Sequence, residues 1–164
     1  MTGSATLTRK WPANGTPAIE SAHPPLYYTD HHEMREMAQN MLRIRQERFP
    51  ELVAKGEMDA DEAKQELALF AQIAGHWHWV ITGEGEPAPR ITIVDRCAVL
   101  DQSIRRIAEI ASKRGGFDQE LLHQAHCVIA MRFNAAPSRE DDVICLAKIT
   151  HELRQPKGEQ AHAA

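Results

Sequence analysis

His123, His126 and Cys127 stand at positions i, i+3 and i+4 of an apolar periodic segment, which on a helix puts two imidazoles and a thiol on one flank. Imidazole and thiolate together suit zinc. A closed site needs a fourth ligand, and Cys97, Cys145 and His151 are the candidates, although spacing alone places none of them. The competing account is two surface histidines beside a buried cysteine. His76 and His78 are two apart, so they share a face only on a strand and point to nearly opposite sides of a helix. His31-His32 lies near an expected helix start, where a protonated imidazole opposes the helix dipole.

Covalent and acid–base chemistry find less support. Cys127 with His123 would make a nucleophile and base, but a reactive thiolate wants an accessible, electropositive setting and an oriented base, and the surrounding residues offer none. The paired acids Asp59/Asp61 and Asp141-Asp142 sit where negative charge favours a helix start. Residues 83–90, GEGEPAPR, are a breaker-rich connector without the Gly-Lys-Ser/Thr ending of a phosphate loop. The expectation is therefore a protein that is not an enzyme and holds no cofactor, with zinc as a minor alternative.

The elements that would carry these residues are helices. Asp30 with Glu33 has the capping-box pattern, and Met34, Met37, Ala38, Met41 and Ile44 follow at helical spacing, predicting a helix to about residue 49 that Pro50 and Gly56 stop. Asp59 with Glu62 opens a second helix with an inner stripe of Ala63, Leu67, Phe70, Ala74 and Trp77. So short a connection predicts an antiparallel hairpin. A third helix is expected over residues 92–113, ending at Gly115-Gly116, with Ile93, Cys97, Leu100, Ile104, Ile107 and Ala111 inward. Asp118 starts a fourth helix, and Ser138 with Asp141 a fifth whose Val143, Leu146, Ala147, Ile149 and Leu153 face inward. Residues 76–82 also alternate like a strand, and could instead pair with residues 90–94 as a short β-hairpin.

At about 100° per residue, Arg45 and Arg48 fall inside the apolar arc of the first helix and Glu66 inside that of the second. An ion pair across the hairpin is one reading. The other is that Arg48 lies beyond the core at a helix C-terminus, where a cation is favoured. Arg45, Arg48-Phe49-Pro50, Val53, Gly56, Ala63 and the apolar repeat to Ile73 resemble a helical hairpin of small uncharacterised proteins encoded in bacteriophage and prophage genomes. The resemblance spans about a fifth of the chain and implies a mobile-element origin. No site is assigned in that group, so none is carried over.

Together these readings predict an all-α fold, a compact bundle of about five helices built on the hairpin. The domain covers residues 30–154 (hairpin 30–82, linker 83–90, helices 91–154), with an arm over residues 1–29 and a flexible tail over 155–164. The arm carries Trp11-Pro12, Pro24-Pro25 and Tyr27-Tyr28 without period, and is either a loose leader or a segment whose aromatics dock on the body or a partner.

With 19 Lys+Arg against 23 Asp+Glu, the chain is mildly acidic, which argues against wholesale neutralisation of a nucleic-acid backbone or an anionic membrane. A local basic segment remains: Arg90, Arg96, Arg105, Arg106, Lys113 and Arg114 would carry a nucleic-acid contact. The three separated cysteines read as buried free thiols of a reducing compartment. No segment approaches the ~20 apolar residues that cross a bilayer, so the expected placement is cytoplasmic. The preferred expectation is a non-catalytic interaction protein of phage type that binds a protein partner as inhibitor or adaptor, through Trp11, Tyr27, Tyr28, Arg45, Arg48 and Trp79. The nucleic-acid module is the alternative.

Overall fold

A computed structural model describes residues 7–87 and 93–155. Local signals start most of its helices. Asp30 accepts from the backbone N of Glu33 at 3.2 Å and begins α1 (His31–Ala54), and Asp59 accepts from the N of Asp61 and Glu62 to begin α2 (Ala60–Thr82). α3 (Ile93–Arg114) is followed by Gly115 at φ 79°, a left-handed stop that glycine takes without strain. Asp118 accepts from the N of Leu121 at 2.7 Å and begins α4 (Gln119–Asn134).

Several boundaries differ from the sequence reading. Pro50 does not stop α1: it sits about one turn from the end, and the helix continues to Ala54. Near a terminus, proline forfeits one hydrogen bond rather than breaking a continuing ladder. Residues 76–82 are the last turns of α2, not a strand, because Trp77 and Val80 keep the helical inner stripe in the core. Residues 93 and 94 open α3, and residues 90–92 lie outside the described set. α5 (Pro137–Arg154) begins one residue before Ser138, with Pro137 at the first position and no side-chain cap.

Among the described residues, the chain before α1 is not a loose arm. Residues 8–11 (β1, Thr8–Trp11) and 19–22 (β2, Ile19–Ala22) form an antiparallel hairpin with Trp11 opposite Ile19. Its inner face is buried: Trp11 is 1% exposed and donates its indole N–H to Ser21 Oγ at 3.1 Å. Arg105 of α3 donates to the carbonyl of Asn14 at 3.3 Å in the intervening loop. The predicted all-α bundle thus holds for the body, with a small two-stranded sheet added in front.

α1 and α2 make the most extensive helix pair, and α4 packs on both α1 and α3. Met34, Met41, Phe70, Leu100, Ile104, Ile129 and Met131 are essentially inaccessible in the shared core. α5 packs on α2 and α4. It turns Glu140, Val143 and Ala147 inward, leaving Leu146, Ile149 and Leu153 exposed at 60%, 49% and 81%. The reading that placed those three inward is corrected: α5 has apolar residues on two faces, and only docking selects one. None of the described helices is long and apolar enough to cross a membrane.

Candidate functional site

A concavity lies between α1 and α3, where the arginine anomaly of the hairpin resolves. Glu66 of α2 is 8% exposed at its side chain, and its Oε1 lies 3.6 Å from Arg45 Nε and 3.0 Å from Arg106 Nη1. Arg45 lies over the Phe70 ring at 3.9 Å and donates to the Met41 carbonyl and to Ser103 Oγ. Burial lowers the Arg45 guanidinium from its ordinary value, and Glu66 opposes that shift. An arginine stays protonated under such a shift, so the pair stays ionic. The expected hairpin pair therefore exists through Arg45, and α3 adds a second cation. Arg48 is exposed and has no ion pair among the described residues.

Beside this cluster opens a pocket of about 320 Å³. Met41, Ile44, Phe49, Leu52, Ile107 and Ile110 supply apolar walls, while Arg45, Arg48, Arg106 and Lys113 supply cations. Glu109 is the one acid in the lining, and Glu66 behind it offsets Arg45 and Arg106. Such a surface suits a ligand with an apolar body and a negative group.

A second cluster joins α4 to the start of α1. His123 Nε2 lies 3.1 Å from Glu33 Oε2 and 3.6 Å from Cys127 Sγ, and the three ligand atoms all lie within 4.8 Å of one another. The structure brings His123 and Cys127 together at the one-turn spacing read from the sequence, and His126 is not in the group. Sharing a flank does not bring its imidazole to the other two, and Glu33 arrives from another helix instead. Glu33 had been assigned to a capping box. Its backbone N is capped by Asp30, while its side chain goes to His123. Tyr27, at φ 66°, sets its ring edge against His123 with centroids 5.2 Å apart. Cys127 is fully buried, and burial, with Glu33 and Asp30 nearby, pushes its thiol up to about 12.

The remaining expected site residues disperse. Trp11 and Trp79 are corrected from candidate contact aromatics to core, at 1% and 6% exposure, because each packs within its own chain. Trp79 stacks edge-on with His151, whose Nε2 lies 2.8 Å from the Trp79 carbonyl. Tyr27 and Tyr28 are half-buried against His123 and Phe133. His76 is buried and faces Trp77, while His78 pairs with Glu84 at 3.1 Å, so those two histidines share nothing.

The basic segment is largely spent internally. Arg96 is corrected from a surface cation to a buried one, 5% exposed and paired with Glu140 of α5. Arg105 holds Asn14, Arg106 holds Glu66, and Arg114 lies 3.5 Å from Asp118. Lys113 lines the α1–α3 pocket, and Arg90 lies outside the described residues. Of the cysteines read as buried, Cys127 is buried, Cys97 intermediate and Cys145 exposed.

No protein-family model, curated protein or solved structure matches this chain.

Proposed function

We propose that this protein is a non-catalytic interaction protein that binds an acidic, apolar-anchored segment of a partner protein in the pocket between α1 and α3. The observation that carries this reading is the combination of apolar walls with four cations, of which Arg48 and Lys113 have no ion pair among the described residues. A chain of net charge −4 repels acidic partners elsewhere, so a locally basic pocket both attracts and orients one. Apolar walls favour an inserted aliphatic or aromatic anchor flanked by carboxylates.

The nucleic-acid alternative draws less support, because Arg96, Arg105, Arg106 and Arg114 already bind groups of their own chain. A phage-type origin rests on the hairpin resemblance, and a cytoplasmic placement on the sequence reading.

Selection of peptides from a random display library against the full chain tests the proposal. The expected outcome is enrichment of Asp and Glu around a large apolar residue, with binding weakened at least about tenfold by Arg48→Glu or Lys113→Glu. Both side chains are exposed, so both variants should keep the wild-type helical signal. Selected peptides without acidic enrichment, or indifferent to both substitutions, would overturn it. Tight, salt-sensitive binding of an oligonucleotide that both substitutions abolish would favour the alternative instead.

A further inference from the structure

Glu33, His123 and Cys127 come from two helices, yet their three donor atoms converge. Cys127 and His123 lie one turn apart on α4, and Glu33 reaches across from the first turn of α1. The contacts rule out a catalytic relay. A relay would set the carboxylate on one imidazole nitrogen and the thiol on the other, whereas both approach Nε2. Cys127 is also inaccessible and its thiol is held protonated, the opposite of an activated nucleophile.

The same arrangement fits one metal ion. Tetrahedral zinc, with Zn–N and Zn–O of about 2.0–2.2 Å and Zn–S of about 2.3 Å, separates neighbouring ligand atoms by about 3.3–3.6 Å. The observed separations are 3.1 Å between His123 and Glu33, 3.6 Å between His123 and Cys127, and no more than 4.8 Å between Glu33 and Cys127, so small side-chain adjustments bring all three onto one ion. We infer that Glu33, His123 and Cys127 form a binding site for a thiophilic divalent cation of the zinc type, with water as the fourth ligand.

The charges are consistent with a half-buried location. On binding, the Cys127 S–H bond breaks, its proton leaves to solvent, and a sulfur–metal bond forms. A thiolate and a carboxylate then neutralise the dication, and neutral imidazole and water complete the shell. Access exists on the polar side, where the His123 and Glu33 side chains are 40% and 36% exposed, while Cys127 closes the apolar side. Tyr27 buttresses the imidazole, and Asp30 fixes the backbone of Glu33, so the ligands are held before the ion arrives.

The test is titration of the metal-free full chain with Zn²⁺, followed by Co²⁺ as a spectroscopic probe. One equivalent should bind, and cobalt should show thiolate-to-metal charge-transfer absorption. Cys127→Ser should remove that absorption, and Glu33→Gln and His123→Gln should each weaken zinc by more than about tenfold. His126→Gln should leave the affinity unchanged. Glu33 is part-exposed, so Glu33→Gln reads the site even where a substitution at buried Cys127 prevents folding. The inference is overturned by no stoichiometric zinc, by cobalt binding without the charge-transfer band, or by binding that survives Glu33→Gln or depends on His126. Any of these outcomes leaves a His123–Glu33 contact that merely ties α4 to α1.

Discussion

Arg45 and Glu66 face each other across the helical hairpin with side chains 12% and 8% exposed, and Arg106 of α3 completes the cluster from the third side. One buried carboxylate thus ties three helices together. Its removal would leave Arg45 desolvated against Phe70 without a counter-charge. Glu66→Ala should cost about 3–5 kcal/mol in urea unfolding. Arg106→Ala should cost less, since Arg106 is 40% exposed and solvent screens it. The double replacement Arg45→Met with Glu66→Leu should recover most of the loss, because neither buried charge remains.

Arg96 and Glu140 form the corresponding tie between α3 and α5, with side chains only 6% and 8% exposed. α5 otherwise holds on through Val143, Ala147, His151 and Arg154, which donates to the Ile81 carbonyl at 3.2 Å. Glu140→Ala should therefore strand a buried guanidinium and destabilise by about 3–5 kcal/mol. Hydrogen exchange should show the amides of α5 losing protection before those of α1 and α2. Uniform loss across all five helices would show that α5 is not a separable unit.

His76 is pushed down to about 4, chiefly by burial, with Arg96 and His31 adding repulsion. The native state therefore keeps it neutral, while the unfolded chain protonates it near 6.5. More protons bind the unfolded state between those values, so stability is full above about pH 6.5 and falls as pH drops toward 4. This one group should remove on the order of 3 kcal/mol by pH 4. His76→Gln should lower stability at neutral pH by loosening the contact with Trp77, yet flatten the slope of unfolding free energy in that window.

Gly83 ends α2 at φ 78°, and a Cβ there would lie 3.2 Å from His151 Cγ. Gly83→Ala should cost roughly 1–2 kcal/mol from the left-handed backbone, plus displacement of His151 from the Trp79 carbonyl. Thermal unfolding would record the loss. Gly83→Asn should relieve only the backbone part of that cost, because asparagine tolerates this region better yet its Cβ meets His151 as that of alanine does.

The helix starts at Asp30, Asp59 and Asp118 were legible because capping depends on atoms within three residues of each other, as was the hairpin that a short joint enforces. The Arg45–Glu66 pair was legible too, since helical phase put both charges on facing arcs. Two of the three members of the candidate metal cluster were visible as His123 and Cys127 one turn apart. Glu33 was hidden by its second role, because a glutamate three residues after a capping aspartate already has a local explanation.

Local spacing, then, determined the helices, the aspartate caps of α1, α2 and α4, and the inward arcs of α1 and α2. Tertiary packing decided the rest: which face α5 presents, that Trp11 closes the core, that Arg96 is buried, and that Glu33 meets His123. Each of those depends on chain segments more than twenty residues apart, and secondary-structure periodicity carries no information about which distant surface an element will cover.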